Sequence, residues 1–409
     1  MTDQHCVIIG ASHAAASLAA TLRQEGWEGR ISMVGDEPHV PYHRPPLSKA
    51  CLSGDKDAAS LAIRPREFYE SQQVDLLLGR RATAIHRDSQ TVSLDDGSSL
   101  SYSRLALLTG ALPRRIDLPG SDLPGVHYLR DIRDVDAIRE HIAPGKSAVI
   151  VGGGYIGLET AASLRAAGMQ VTVLEAMSRV LQRVTAPEVS AFFTRIHEEE
   201  GVSIVADTTV SAFMGDAALT GVACSDGREF PADLAIVGIG VVPDTALAQA
   251  AGLEVDDGIV VDEFARTSDH LIVAAGDCTR HFNPIYQRWL RLESVQNANE
   301  QARAAAKTLA GNPGAYHALP WFWSDQYDVK LQIAGLSAGY DQLVVRGDLS
   351  SGRSFTLFYL REGRLLAADA VNRARDFMAV KRAVLAGCTP DADALADESA
   401  DLKSVLEAE

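Results

Sequence analysis

Short apolar runs followed by a small-residue turn and a helix-periodic segment occur twice in this chain. The first is His5 to Ile9, then Ala14 to Arg23, then Ile31 to Val34. The second is Ser147 to Val151, a periodic stretch through Leu164 to Gly168, then Gln170 to Leu174. A continuous apolar run bounded by turn signals predicts a buried strand, and helical periodicity between two such runs predicts a crossover helix. Both triplets therefore predict β-α-β units of parallel sheet. Two further runs, Leu105 to Leu108 and Leu271 to Ala274, predict strands ending in Thr109-Gly110-Ala111 and Ala275-Gly276-Asp277. From Pro320 the pattern changes to strands at Lys330 to Ala334, Gln342 to Val345 and Phe355 to Tyr359, then a helix from Asp376 to Ala386. That last part predicts an α+β domain, with the acidic tail beyond Asp391 as a solvated end.

The turns carry the first chemistry. In the second unit Gly152, Gly154 and Gly157 have the G-x-G-x-x-G spacing around Gly153, Tyr155 and Ile156, and Glu175 ends the next strand about 20 residues on. One glycine permits the tight turn, another lets backbone approach a pyrophosphate, and the third lets helix and strand pack, while the helix N-terminus offers N–H groups to the phosphates. Glu175 is then placed to accept from ribose hydroxyls. In the first unit, Gly10-Ala11-Ser12-His13-Ala14-Ala15, Ser12 replaces the middle glycine and Ala15 the last, with Asp36 and Glu37 in the acid position. Both substitutes are small, and the Ser12 hydroxyl can itself donate to a phosphate. The alternative for this copy is a degenerate β-α-β unit that binds nothing. Two such turns in one chain point to a flavin and a nicotinamide held together. Arg179 and Arg183 follow Glu175 and can meet a 2'-phosphate, so NADPH stays open beside NADH.

The strands at Leu105 and Leu271 lie outside the second unit. The simplest architecture is two Rossmann-like domains, one inserted in the other, plus a C-terminal α+β domain. The expected divisions are residues 1–112 and 245–319 for FAD, 113–244 for the nicotinamide, and 320–409 for the last domain. A chain of 409 residues with 46% apolar content can bury two or three cores. The net charge of −16 weighs against a nucleic-acid partner. The longest apolar stretch, Leu234 to Pro243, is short of the ~20 residues that span a bilayer. A strand directly after the first residues leaves no room for a cleavable leader, so a cytoplasmic protein is expected. Cys6, Cys51, Cys224, Cys278 and Cys388 have neither C-x-x-C nor metal-ligand spacing, which argues against a dithiol flavoenzyme and a protein-bound metal. Cys51 leaves open a single redox thiol. Oligomeric state, monomer or weak dimer, is not legible.

Six motifs in order carry a resemblance that covers nearly the whole chain: Arg44-Pro45-Pro46-Leu47-Ser48-Lys49, the second turn running into Leu158-Glu159, Val237-Gly238-Ile239-Gly240, Ala275-Gly276-Asp277, Glu293-Ser294-Val295-Gln296-Asn297-Ala298 and Pro320 to Gln326. With them the chain resembles the FAD-dependent ferredoxin reductases of oxygenase systems, built on the glutathione-reductase-like fold. The resemblance implies that Gly10, Ser12, His13, Ala14, Asp36, Arg44, Lys49, Ala82, Thr109, Gly110, Arg130, Asp277, Val295 and Trp323 contact FAD. It places Gly152, Gly154, Tyr155, Ile156, Gly157, Glu159, Glu175, Arg183, Gly238, Ile239 and Gly240 at the nicotinamide cofactor. Lys49 and Glu159 are implied as an ion pair where hydride passes, and the partner as a [2Fe-2S] ferredoxin serving a cytochrome P450 or Rieske oxygenase. Positioning and electrostatics suffice for such chemistry, because the cofactor carries it. Ferredoxins of this kind are acidic, which singles out Arg291, Arg303, Arg373, Arg375, Lys381 and Arg382 as a docking patch. Read from the residues alone, Trp323 is equally an aromatic of the core, Glu159 an acid favoured by a helix N-terminus, Asp277 half of an ordinary Gly-Asp turn, and His13 and Arg130 surface fillers. Two other functions fit the same turns: reduction of a small acceptor such as monodehydroascorbate, oxygen or peroxide, and a non-catalytic flavoprotein resembling apoptosis-inducing factor.

Overall fold

A computed structural model describes residues 4–407. The chain forms two compact units. One comprises Met1–His43, Ala59–Leu112 and Val241–Pro320; the other comprises Arg44–Ala58, Pro113–Gly240 and Trp321–Glu409.

The first unit is built on a parallel sheet in the order Ile272–Ala274, Arg104–Leu107, His5–Ile9, Arg30–Gly35, Val74–Leu78. All five residues of His5–Ile9 are buried, as a strand covered on both faces must be. One face is covered by the helices His13–Gln24 and Val295–Leu309, which meet through Ala14, Ala15, Leu18, Ala19 and Leu22 against Ala298, Ala302, Ala305 and Leu309. Alanines on both surfaces let the helices approach closely. The other face packs on Ile85, Val92 and Leu94 of a three-stranded antiparallel sheet, Ala82–His86, Thr91–Leu94 and Ser99–Ser101.

The second unit repeats the parallel plan in the order Ser203–Val205, Gln170–Leu174, Ser147–Val151, Leu234–Val237, Val126–His127. In each sheet the first strand of the β-α-β unit is central and the order reverses beside it. Open α/β sheets bind ligands at the carboxyl ends of such strands. The Leu234 to Pro243 stretch is two strands, Leu234–Val237 and Val241–Pro243, broken at Gly238 to Gly240. Among the described residues no helix is long and apolar enough to cross a membrane.

From Trp321 on, the second unit forms an antiparallel sheet ordered Trp321–Gln326, Val329–Gly335, Arg364–Val371, Ser354–Arg361, Gln342–Asp348, with the helix Ala374–Ala386 packed on it. The expected elements agree with the observed ones to within one to three residues at their ends. Arg364–Val371 is an addition, and its Leu-Leu-Ala-Ala segment is made of residues with high helix propensity. Pairing on both edges overrides that propensity. The acidic tail is a correction. It forms helices Ala392–Ala396 and Leu402–Glu407 with Leu395, Leu402 and Leu406 buried. The buried Arg346 guanidinium donates to the carbonyls of Leu395 (3.1 Å), Asp397 (2.5 Å) and Ala400 (2.7 Å). A buried cation must find acceptors, and this tail supplies them.

Candidate functional site: two glycine turns and a buried ion pair

In the first unit Gly10 closes the strand His5–Ile9 at φ +113°, and a Cβ there would lie 2.1 Å from the Leu108 carbonyl oxygen. Only glycine fits, so the turn brings backbone where a side chain cannot go. Ser12 caps the helix His13–Gln24 with φ −136°, extended backbone that any residue adopts. The missing middle glycine therefore costs no strain. A Cβ at Gly35 would lie 2.4 Å from the Ala11 Cβ, a second close approach at this corner. His13 is buried with its ring against His43, and Ala14 is buried beside Gly276. Asp36 follows the strand Arg30–Gly35 and pairs with Arg81 at 3.3 Å, while Glu37 is buried and accepts from Tyr42 OH at 2.5 Å. Thr109 Oγ1 donates to the Asp244 carbonyl (2.5 Å), whose own N–H returns to Gly110 O (2.9 Å). Asp277 follows Gly276 at the carboxyl end of Ile272–Ala274, Val295 opens its helix behind the Ser294 cap, and Ala82 begins a strand of the small sheet. A cradle closed to side chains, a helix N-terminus and acids at strand ends suit a dinucleotide such as FAD.

The turn of the second unit is closed in a similar way. Gly152 has φ +109° and a Cβ there would lie 2.5 Å from Gly238 O; one on Gly157 would lie 2.1 Å from Gly152 O. Around Gly154, the N-cap of the helix Tyr155–Ala166, there is open space. Glu175 accepts from Gly153 N–H at 2.7 Å and from Met177 N–H at 2.8 Å, so its carboxylate is held against the turn. Ile156 is exposed, and Gly238, Ile239 and Gly240 form the crossing between Leu234–Val237 and Val241–Pro243. Arg183 is exposed near Gly240, whereas Arg179 is committed to Ser190 Oγ and the Gln182 carbonyl. These residues fit a second dinucleotide.

Lys49 and Glu159 meet in the second unit, Nζ to Oε2 at 2.5 Å. Glu159 is 6% exposed, so its place near a helix start is more than a dipole preference. Its Oε2 also accepts from Ser48 Oγ (2.6 Å) and its Oε1 from Ser324 Oγ (2.7 Å). Lys49 Nζ donates also to Pro45 O at 3.1 Å. A buried carboxylate needs a counter-charge and hydrogen bonds on its remaining lone pairs, and both are present. The short 3-10 turn Pro45–Ser48 presents Ser48 and Lys49 together, since proline presets its φ. Ser163 Oγ holds that turn through Ser48 O at 2.7 Å. Arg44 donates to Arg130 O at 2.7 Å, and Arg130 N–H donates to Asp134. Trp323 stacks in a row with Trp321 and Phe322, and Phe322 packs on Tyr155 at 4.7 Å between centroids.

Sequence reasoning missed Ser48 and Ser324 as partners of Glu159, although both stand inside the quoted motifs. It also missed Asp369 and Tyr359. Asp369 is buried, accepts from Tyr359 OH at 2.5 Å, and is pushed up to about 7 by burial, against the lowering effect of that hydrogen bond. The Tyr155 hydroxyl is buried with no hydrogen-bond partner among the described residues. No signal short of the fold brings these three together. Cys51 is buried and its thiol is pushed up by desolvation, opposite to what a reactive thiolate needs. Of the basic candidates, Arg375 and Arg382 are exposed along one helix, Lys381 lies over the Trp321 and Phe377 rings, and Arg373 pairs with Glu398. Arg291 and Arg303 belong to the other unit, where Arg291 pairs with Glu293 and Asp257.

Comparison with known proteins matches residues 4–302 to the pyridine nucleotide-disulphide oxidoreductase family and residues 321–406 to the reductase C-terminal family. Putidaredoxin reductase CamA of Pseudomonas putida is 45% identical over 412 residues, covering 99% of this chain and 97% of that protein. Rhodocoxin reductase of Rhodococcus erythropolis is 45% identical over 403 residues, covering 98% and 94%. The crystal structure of the covalent putidaredoxin reductase–putidaredoxin complex superposes with a TM-score of 0.96 at 45% identity, covering 99% of each chain. Two glycine turns on parallel sheets, a buried Lys–Glu pair and this end-to-end likeness have one reading: the chain belongs to the pyridine nucleotide-disulphide oxidoreductases, among the putidaredoxin reductase-like ferredoxin reductases.

Proposed function

We propose that this chain is an NADH-dependent, FAD-containing reductase that passes electrons singly to a [2Fe-2S] ferredoxin feeding a cytochrome P450 or Rieske oxygenase, and that it works in the cytoplasm, where NADH is replenished. The observation that carries the reading is the presence, in one chain, of two turns closed to side chains at the switch points of two parallel sheets. When bound, FAD takes two electrons as a hydride and releases them one at a time, which a nicotinamide donor and an iron-sulfur acceptor together require.

In this reading Gly10, Ser12, His13 and Ala14 receive the FAD pyrophosphate, Asp36 its ribose and Asp277 its ribityl chain. Ala82, Thr109, Gly110 and Val295 line its site, and Arg44, Lys49, Arg130 and Trp323 face it as well. Gly152, Gly154, Tyr155, Ile156 and Gly157 receive the pyrophosphate of NADH, with Gly238, Ile239 and Gly240 beside it. Glu175 accepts from the ribose hydroxyls and repels a 2'-phosphate, with Arg183 at the rim. Lys49 and Glu159 are the charged pair at the point of hydride transfer, held by Ser48 and Ser324. Residues 1–112 and 245–319 serve FAD, 113–244 the nicotinamide, and 320–409 complete the chain. The test is stopped-flow reduction by NADH and by NADPH, followed by mixing with candidate ferredoxins. Fast reduction by NADH and fast reoxidation by a ferredoxin are expected. Reoxidation that is slow with every ferredoxin and fast with a small acceptor refutes the proposal.

A further inference from the structure

Behind the Lys49–Glu159 pair a chain of hydrogen bonds runs on through buried side chains. Ser324, which donates to Glu159 Oε1, accepts from Gln326 Nε2 at 3.1 Å. Gln326 Oε1 lies 2.8 Å from His197 Nε2, and His197 Nδ1 lies 3.2 Å from Tyr327 OH. Ser324 and His197 are fully buried and Gln326 is 1% exposed. The strand Trp321–Gln326 supplies Ser324 and Gln326 on one face, two residues apart, and the helix Pro187–Glu199 supplies His197.

Every bond in this chain has a required direction. The Glu159 carboxylate, paired with Lys49, only accepts, so the Ser324 hydroxyl spends its one proton there. The Ser324 oxygen is then left to accept, and Gln326 must turn its amide nitrogen toward it and its oxygen toward His197. An amide oxygen only accepts, so His197 Nε2 must carry hydrogen. Burial disfavours the imidazolium and holds His197 below its usual range, with the Gln326 hydrogen bond and Glu200 acting the other way. The charges around it are Glu200, which caps the C-terminus of its own helix, Arg353, which pairs with Glu200 at 3.2 Å, and Arg165, whose Nε donates to Glu200 O. A neutral ring protonated on Nε2 leaves Nδ1 to accept from Tyr327.

We propose that His197 and Gln326 are positioning residues for the hydride-transfer pair: the Nε2–H tautomer of His197 fixes the Gln326 amide so that Ser324 keeps its proton on Glu159. Without that N–H the amide can turn over and present its oxygen to Ser324. The Ser324 hydroxyl then donates to Gln326, and Glu159 loses one of its three donors. The inference rests on Lys49 and Glu159 being the hydride-transfer pair.

Two measurements on the holoenzyme test it. Long-range proton–nitrogen NMR with labelled histidine should show His197 neutral and protonated on Nε2 near neutral pH; the Nδ1–H tautomer or an imidazolium overturns the proposal, whether or not any variant folds. A glutamine side chain carries its N–H to about the Nε2 position, whereas asparagine reaches only the Nδ1 position. His197→Gln should therefore keep the rate of flavin reduction by NADH within about twofold, while His197→Asn lowers it about tenfold, the equivalent of one buried hydrogen bond. Equal rates in the two variants overturn the proposal. Lys49→Ala separates the premise from the network: if it leaves flavin reduction unchanged, the role of the pair fails, while the tautomer measurement is unaffected.

Discussion

The Lys49–Glu159 pair can be dissected by a double-mutant cycle of Lys49→Met, Glu159→Gln and both together. At 2.5 Å and an effective dielectric of about 20, the gross attraction is about 7 kcal/mol. Removing each ion from water costs several kcal/mol, which cancels most of it. Lys49 keeps 22% of its side chain exposed and Glu159 only 7%, so the carboxylate bears the larger desolvation. Ser48 and Ser324 remain on Glu159 when Lys49 is removed and soften the loss. The expected coupling is about 2 kcal/mol, read from chemical denaturation of the four proteins. If the pair also holds the transferring hydride's surroundings, the same energy lost from the transition state slows flavin reduction about 30-fold in Lys49→Met. Stopped-flow absorbance at saturating NADH measures that rate. A coupling below about 0.5 kcal/mol, the usual value for an exposed pair, together with an unchanged reduction rate, would refute the reasoning.

Three more expectations follow from named groups. Glu175 should favour NADH over NADPH by a factor on the order of 100 in kcat/KM, and Glu175→Ala should narrow that gap; comparable values in the wild type would sink the assignment. Reversing Arg373, Arg375, Lys381 and Arg382 to Glu should raise the KM for ferredoxin, most at low salt, because exposed charges are screened over ~8 Å at physiological ionic strength. NADH-driven ferricyanide reduction should not change, and identical ferredoxin kinetics across a salt series would move the docking face elsewhere. Asp369, raised to about 7 in the fold by burial, keeps its proton there while an unfolded chain releases it at an ordinary carboxyl value. Its contribution is complete below about pH 4 and is lost as pH rises through about 7. Asp369→Asn, which still accepts from Tyr359, should therefore gain stability over wild type at pH 8 and not at pH 4; a difference independent of pH in urea unfolding would refute this.

What the chain legibly encodes by itself is local. A β-branched run followed by a small-residue turn and a periodic segment can fold only a few ways, so both β-α-β units and the parallel strands at Arg104–Leu107 and Ile272–Ala274 were readable from residue order. The motif order also implied that Lys49 and Glu159 belong together. Three things were decided by tertiary contact. Arg364–Val371 has a helical composition and becomes a strand because partners on both edges satisfy its backbone. The acidic tail folds back because Leu395, Leu402 and Leu406 find an apolar surface and the buried Arg346 needs carbonyl acceptors. The third is the partner set of Glu159. Ser48, His197 and the Ser324–Gln326 pair of one strand face stand up to 278 positions apart, from Ser48 to Gln326, and nothing in local periodicity relates the three segments. Only the fold removes water from around them, and once water is gone each donor must take the acceptor that packing leaves within reach.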